Sequence, residues 1–177
     1  KCLRAVLTDD FYSIVDIKRI YSRKVLDSCV SKINPFTIKT LGFRVFSTYA
    51  IRNTYLTAAE YFHKVLTSRD ILDLQELPKI MMQQMSFTTE LAELKSQYEL
   101  VEFSPSQCIN IRRLNTIGIT KDHLRDYCDA VYSTTERGSY FTILSLQKNG
   151  FSHLLDEFGF EEWFYSSIMS TYSNRFY

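Results

Sequence analysis

The chain has 177 residues, 45% hydrophobic and 15% aromatic, with 5 Gly, 3 Pro and 23% charged side chains, which excludes a disordered tail, a collagen or a low-complexity linker and predicts a compact, mainly α protein. Lys plus Arg is 21 against 20 Asp plus Glu, but residues 1–69 hold 12 basic and 5 acidic side chains whereas residues 70–177 hold 9 and 15, so a polyanion would be met by the first half alone. No apolar run reaches the ~20 residues that cross a bilayer, and Lys1-Cys2-Leu3-Arg4 is not a signal peptide; the expectation is a cytoplasmic, intracellular protein with no membrane partner, whose Met-less start points to a longer parent chain.

The first helix is expected around Asp16–Ser28, with Ile14, Ile17, Tyr21 and Val25 on one side and Arg19 and Arg23 on the other. Asn34 and Pro35 supply an N-cap and N1 proline for a short helix through Leu41, ended by Gly42 in the left-handed conformation. A helical stretch over 70–77 stops at Leu77-Pro78, and Met81, Met82 and Met85 precede another helix, Phe87–Gln97. The run Tyr98–Phe103, the turn Ser104-Pro105-Ser106-Gln107 and the run Cys108–Ile111 suit a small β-hairpin near 98–111, in competition with a helix that starts at Ile109. Gly118 marks a turn and Thr120 caps a helix over Lys121–Tyr132, with Leu124, Tyr127, Cys128 and Val131 on one apolar face. The stretch Thr142–Asn149 ends at Gly150, Ser152 caps a further turn to Phe158, and Gly159 precedes a last helix containing Glu161, Glu162, Trp163, Phe164, Ile168 and Met169.

Laid on itself, the chain shows ordered matches. Asp16–Tyr21 aligns with Asp122–Tyr127 and Phe36–Leu41 with Phe141–Leu146; Gly42-Phe43 aligns with Gly150-Phe151, and Glu60-Tyr61-Phe62 with Glu162-Trp163-Phe164. Two related modules follow, a basic one over 1–80 and an acidic one over 81–177, packed together because no Gly/Ser-rich linker separates them.

The segment from Arg113 to Leu124 resembles a helix-turn-helix. With Gly118 as the turn glycine, Ile117, Ile119, Leu124 and Tyr127 fall at that motif's core positions. Leu114 stands where such motifs usually place a small residue; Gly42 and Gly150 put Ile38 and Leu146 at the same place. The resemblance implies tandem helix-turn-helix or winged-helix-like modules, with the helix after the turn offered to a major groove.

Electrostatics divides the two modules. The helix after Gly118 carries Lys121 and Arg125 but also Asp122, Asp126 and Asp129, which suits a protein partner better than phosphate. The first module carries Lys18, Arg19, Arg23, Lys24, Lys32, Lys39, Arg44 and Arg52 interleaved with Tyr21, Phe43, Phe46 and Tyr49, a mixture fitted to phosphate contact and base stacking. The nucleic-acid candidates are Lys18, Arg19, Arg23, Lys24, Lys39, Arg44 and Arg52, and DNA is the expected partner of a regulatory module. Against this, Asp16 and Asp27 are spaced to pair with Arg19 and Arg23 along a solvated helix.

The alternative is a non-enzymatic interaction or scaffold domain that docks a protein partner, or the remainder of its parent chain, through Phe160, Trp163 and Tyr165; at their spacing these aromatics also suit a core. The Met cluster, Met81, Met82 and Met85, suits an adaptable binding strip, but residues so spaced more often serve helix packing. Cys2, Cys29, Cys108 and Cys128 form no Cys-x-x-Cys pair and make no ligand spacing with His63, His123 or His153, so reduced structural thiols and no metal are expected. No Gly-rich phosphate loop, His-Glu-x-x-His or Gly-x-Ser-x-Gly occurs, and neither an enzyme nor a cofactor is expected.

Overall fold

A computed structural model describes residues 6–24, 33–172 and 176. Cys2, Val25, Asp27, Cys29 and Lys32, and the side chain of Lys24, lie outside what is described. The expectation of a mainly α protein is corrected: alongside the helices stand two three-stranded antiparallel sheets, one in each of two compact units, so the chain is an α/β mix. The first unit comprises Lys1–Phe62 with Lys79–Phe87, and the second His63–Pro78 with Thr88–Tyr177.

The first unit runs β1 (Phe11–Ser13), α1 (Ile14–Lys24), α2 (Pro35–Thr40), β2 (Phe43–Val45) and β3 (Tyr49–Arg52). β3 is the central strand, antiparallel to both neighbours, with Phe11 opposite Ile51 and Val45 opposite Ala50. Alternation sends Tyr12, Phe43 and Ala50 to one face, where they join Leu7, Ile17, Ile33 and Ile38 in a core. Phe11 and Tyr49 bury the other face; the Phe11 ring stacks on Tyr49 at 5.4 Å and on Tyr61 at 6.1 Å. The Ser13 hydroxyl caps α1, accepting from Asp16 N at 2.9 Å and donating to Asp16 Oδ2 at 2.7 Å. Asn34 caps α2 by accepting from Thr37 N at 2.9 Å, Pro35 takes the first turn, and Gly42, at φ 91°, follows the cap residue Leu41 and opens the way into β2.

Helix α3 (Ala58–Thr67) runs across the division between the units, as does α5 (Met85–Ser96), which α4 (Lys79–Met82) precedes. In the second unit the helix expected over 70–77 is instead β4 (Ile71–Asp73) and one 3-10 turn, Leu74–Glu76, in which Asp73 accepts from Gln75 N at 2.8 Å. The cause is tertiary: Ile71 pairs with Ile109 and Asp73 with Gln107, partners that no local propensity reveals. β5 (Leu100–Ser104) and β6 (Gln107–Asn110) form the hairpin, and β6 lies between β4 and β5. The strand runs to Asn110, whose side chain then caps α6 (Ile111–Asn115) by accepting from Arg112 N at 2.9 Å; the helix therefore begins at Ile111, not Ile109.

α7 (Lys121–Thr134) starts at a capping box between Thr120 and His123, and α8 (Ile143–Lys148) at one between Thr142 and Ser145. His153, not Ser152, caps the 3-10 turn Leu154–Phe158, accepting from Leu155 N at 3.1 Å, and α9 (Glu162–Thr171) follows. The core of this unit gathers Leu114, Leu124, Tyr127, Val131, Phe164 and Ile168, each fully buried. Tyr98, in a left-handed conformation at φ 53°, is buried with its hydroxyl donating to Ile168 O at 3.1 Å.

The two sheets have the same strand order, first, third, second: a strand, then helices, then a hairpin whose second strand returns to the first. This likeness relates residues 11–52 to residues 71–110. The sequence matches relate other segments: Asp16–Tyr21 lies in α1 and Asp122–Tyr127 in α7, and Gly42 and Gly150 have φ 91° and 90°. After those glycines the segments diverge, Phe43 opening a strand and Phe151 leading to a 3-10 turn.

Candidate nucleic-acid interface

Burial of Ile17 fixes the rotation of α1 in the first unit, with Ile14, Ile20 and Tyr21 half-buried beside it. At 100° per residue the opposite side carries Val15, Lys18, Arg19, Ser22 and Arg23. Lys18 and Arg23 are exposed with no ion pair among the described residues; Arg19, also exposed, pairs with Asp16. In α2 the single buried residue is Ile38, 1% exposed, so Phe36, Lys39 and Thr40 share the outer face. Arg44 projects from β2 between the inward Phe43 and Val45, and Lys39 and Arg44, both exposed, are likewise unpaired among the described residues.

Arg52 is engaged differently. Its guanidinium donates to Leu7 O at 2.8 Å and Asp9 O at 2.9 Å, pairs with Asp10 at 3.6 Å and lies 4.2 Å from the centroid of the Phe43 ring. With a side chain 20% exposed, it ties the segment before β1 to β3. The aromatics expected among the cations are also committed: Phe43 and Tyr49 are buried, Tyr21 packs on the core, and Phe46 stacks on Tyr49 at 4.6 Å. Phe36, three residues before Lys39 on the outer face of α2, is an aromatic side chain left 74% exposed. Its outward direction was available from the sequence, because a two-turn helix capped at Asn34 with Ile38 inward leaves Phe36 outward.

Three basic groups on α5 and α7 of the second unit are used internally. Lys121 pairs with Glu99, Lys95 with Glu102, and Arg125 with Asp122 at 3.1 Å, while Asp126 and Asp129 stay exposed. At the helix-turn-helix positions Leu114, Ile119, Leu124 and Tyr127 are fully buried and Gly118 has φ 84°, but Ile117, expected in the core, is 45% exposed.

Among the three docking candidates, Phe160 stacks on Phe164 with centroids 4.0 Å apart, and Tyr165 is buried with its hydroxyl donating to Leu155 O at 3.0 Å. Trp163 is exposed and lines a cavity of about 290 Å³ with Phe141, Ile143, Glu162 and Met169, where Glu162 Oε1 accepts from Ile143 N at 3.3 Å. In the Met cluster Met81 is buried, Met82 half-buried and Met85 exposed.

The titratable candidates serve the fold. His63 Nδ1 meets Glu90 Oε1 at 2.8 Å, His123 completes the α7 capping box, and His153 caps its 3-10 turn and reaches Asp126 at 3.4 Å. Cys108 and Cys128 are free thiols; burial pushes Cys108 up to about 11 and Cys128 up to about 12, the latter partly offset by a contact with the Tyr98 hydroxyl at 3.9 Å. Among the described residues no group of three or more His, Cys, Asp or Glu is placed to hold a metal ion, and no helix is long and apolar enough to cross a membrane. Compared with models of protein families, with curated proteins and with solved structures, the chain matches none.

Proposed function

We propose that the first unit is a DNA-binding module of winged-helix type, with α2 facing a major groove and Lys18, Arg23, Lys39 and Arg44 on phosphates. The observation that carries this reading is the outer surface of α1 and α2, where the exposed cations Lys18, Arg23 and Lys39 have no acidic partner among the described residues and the inner face of α2 is held by Ile38. Strand order supports it as well: two successive helices between a first strand and a hairpin paired back to that strand is the arrangement of a winged helix. Each lysine or arginine set on a phosphate releases a counterion, so affinity acquires a steep salt dependence. Arg52 and Arg19 contribute through the fold and through Asp16, respectively, rather than as free phosphate ligands.

The test is fluorescence anisotropy of a labelled duplex titrated with the chain between ~50 and ~200 mM salt, the range over which several phosphate contacts cost orders of magnitude in affinity. The expected log–log slope is several units, and each of Lys18→Ala, Arg23→Ala, Lys39→Ala and Arg44→Ala lowers it by about one. No binding at the lower salt, or a slope that the four substitutions leave unchanged, overturns the proposal.

A second reading is favoured by a separate observation in the second unit. Exposed Trp163 lines, with Phe141, Ile143 and Met169, a cavity whose apolar walls suit a side chain of a protein partner. Trp163→Ala abolishing a defined association while leaving DNA binding intact would support that role for the surface.

A further inference from the structure

We infer that Phe36 is a thymine-reading side chain, contacting the C5 methyl group of thymine in the major groove. The inference rests on the DNA-binding reading above and goes beyond it by assigning a base preference to one residue. Scattered exposed apolar side chains are ordinary on protein surfaces, so the 74% exposure of Phe36 carries little alone. Its setting carries the argument. Phe36 lies on the outer face of α2 with Lys39 three residues on and Thr40 four residues on, opposite the buried Ile38.

Three properties of that face point to one ligand chemistry. Lys39 on this face, and Lys18 and Arg23 on the outer side of α1, are exposed and without an ion pair among the described residues, which favours a polyanion, so the apolar contact is made within a polyanion's surface. Phe36 has no donor or acceptor, so it cannot read the hydrogen-bonding edge of a base. In a B-form major groove the apolar group offered by the four bases is the thymine methyl, and Phe is among the side chains that pack against it. The Thr40 hydroxyl donates its one hydrogen to Thr37 O at 2.7 Å, so it offers no donor to a base, and its methyl group lies on the same face as Phe36.

The experiment compares duplexes that differ in that methyl group alone. Alternating A·T and alternating A·U duplexes of equal length present the groove in every register with and without the methyl, and alternating G·C with and without 5-methylcytosine places it at the same ring position in another sequence. The intact chain is titrated into each by anisotropy competition at ~50 mM salt, with slopes measured up to ~200 mM. Burying one methyl predicts about fourfold tighter binding per contacted thymine, from the transfer energy of one carbon. Phe36→Ala is expected to erase the preference for A·T over A·U and for the methylated G·C duplex while leaving the salt slope unchanged; Phe36→Leu, which restores an apolar side chain, is expected to regain part of it. Circular dichroism confirms that the exposed substitutions leave the fold intact.

Salt-dependent binding by the wild type with equal affinity for methylated and unmethylated duplexes overturns thymine reading and leaves DNA binding standing. A preference that survives Phe36→Ala assigns it to another residue and also overturns the inference. Tighter binding to single-stranded oligo-dT than to the A·T duplex replaces groove contact by base stacking and overturns it too. Absence of salt-dependent binding to every duplex overturns this inference and the DNA-binding reading together.

Discussion

Replacing Tyr127 by Phe tests the packing of the second unit most directly. The ring is fully buried on α7, with Phe151 at 5.6 Å, His153 at 5.1 Å and Tyr165 at 5.0 Å, yet its hydroxyl has no hydrogen-bond partner among the described residues. Leaving a buried hydroxyl unpaired costs ~1–3 kcal/mol relative to solvating it in the unfolded chain. Deleting one oxygen forfeits only a few contacts of ~0.1–0.2 kcal/mol each. The balance predicts that Tyr127→Phe stabilises the unit by about 1 kcal/mol, or roughly 2–4 °C in Tm for a chain of this size. Urea unfolding followed by Trp163 fluorescence is a suitable assay, because Trp163 is the chain's single tryptophan and sits on α9 of the same unit. An unchanged m-value with a higher midpoint is the expected result.

A pH arm sharpens the test. Burial, with Asp156 adding to it, raises the Tyr127 phenol far above its ordinary value. The unfolded phenol ionises near pH ~10 while the folded one stays protonated, so this group's contribution is intact below that pH and is lost as pH rises beyond it. The variant has no such group, and its advantage should widen above pH ~10. A loss of about 1 kcal/mol or more at neutral pH would refute the reasoning, since it would mean that the hydroxyl makes a bond worth keeping.

Three further outcomes follow from the same structure. Arg52→Ala should destabilise the first unit by about 2 kcal/mol, because it leaves the carbonyls of Leu7 and Asp9 without their charged donor and removes the contact over Phe43; thermal unfolding checks it, and Arg52→Lys should recover only part. Gly118→Ala should cost about 1–2 kcal/mol through φ 84° alone, since a Cβ there meets nothing within 4 Å, and chemical denaturation should show it without a change in the native near-UV spectrum. Cys108 and Cys128 should resist a thiol reagent at pH 8 until urea exposes them; because burial raises both folded values, the stability they contribute should persist below the ordinary thiol value of 9 and fall as pH climbs through about 11 to about 12.

Helix ends were the most legible part of the chain, because capping depends on residues a few positions apart. Asn34 and Pro35 before α2 and Thr120 before α7 were readable in advance, as was the buried face of Leu124, Tyr127, Cys128 and Val131. Strands were not. β1, β2 and β4 have three residues each, too few to show alternation, and Phe11, Tyr12 and Ser13 are all buried, which removes the polar side that alternation needs. The same limit governed the interface. Charge counting found the basic first half, and helical geometry could have placed Phe36 outward, but nothing local distinguished Arg52, which binds two carbonyls of the segment before β1, from Arg44, which binds none among the described residues. Local chemistry determined where helices begin and end and which half carries positive charge; strand pairing, and with it the division between cations that hold the fold and cations left to solvent, was decided by tertiary contacts between residues distant along the chain.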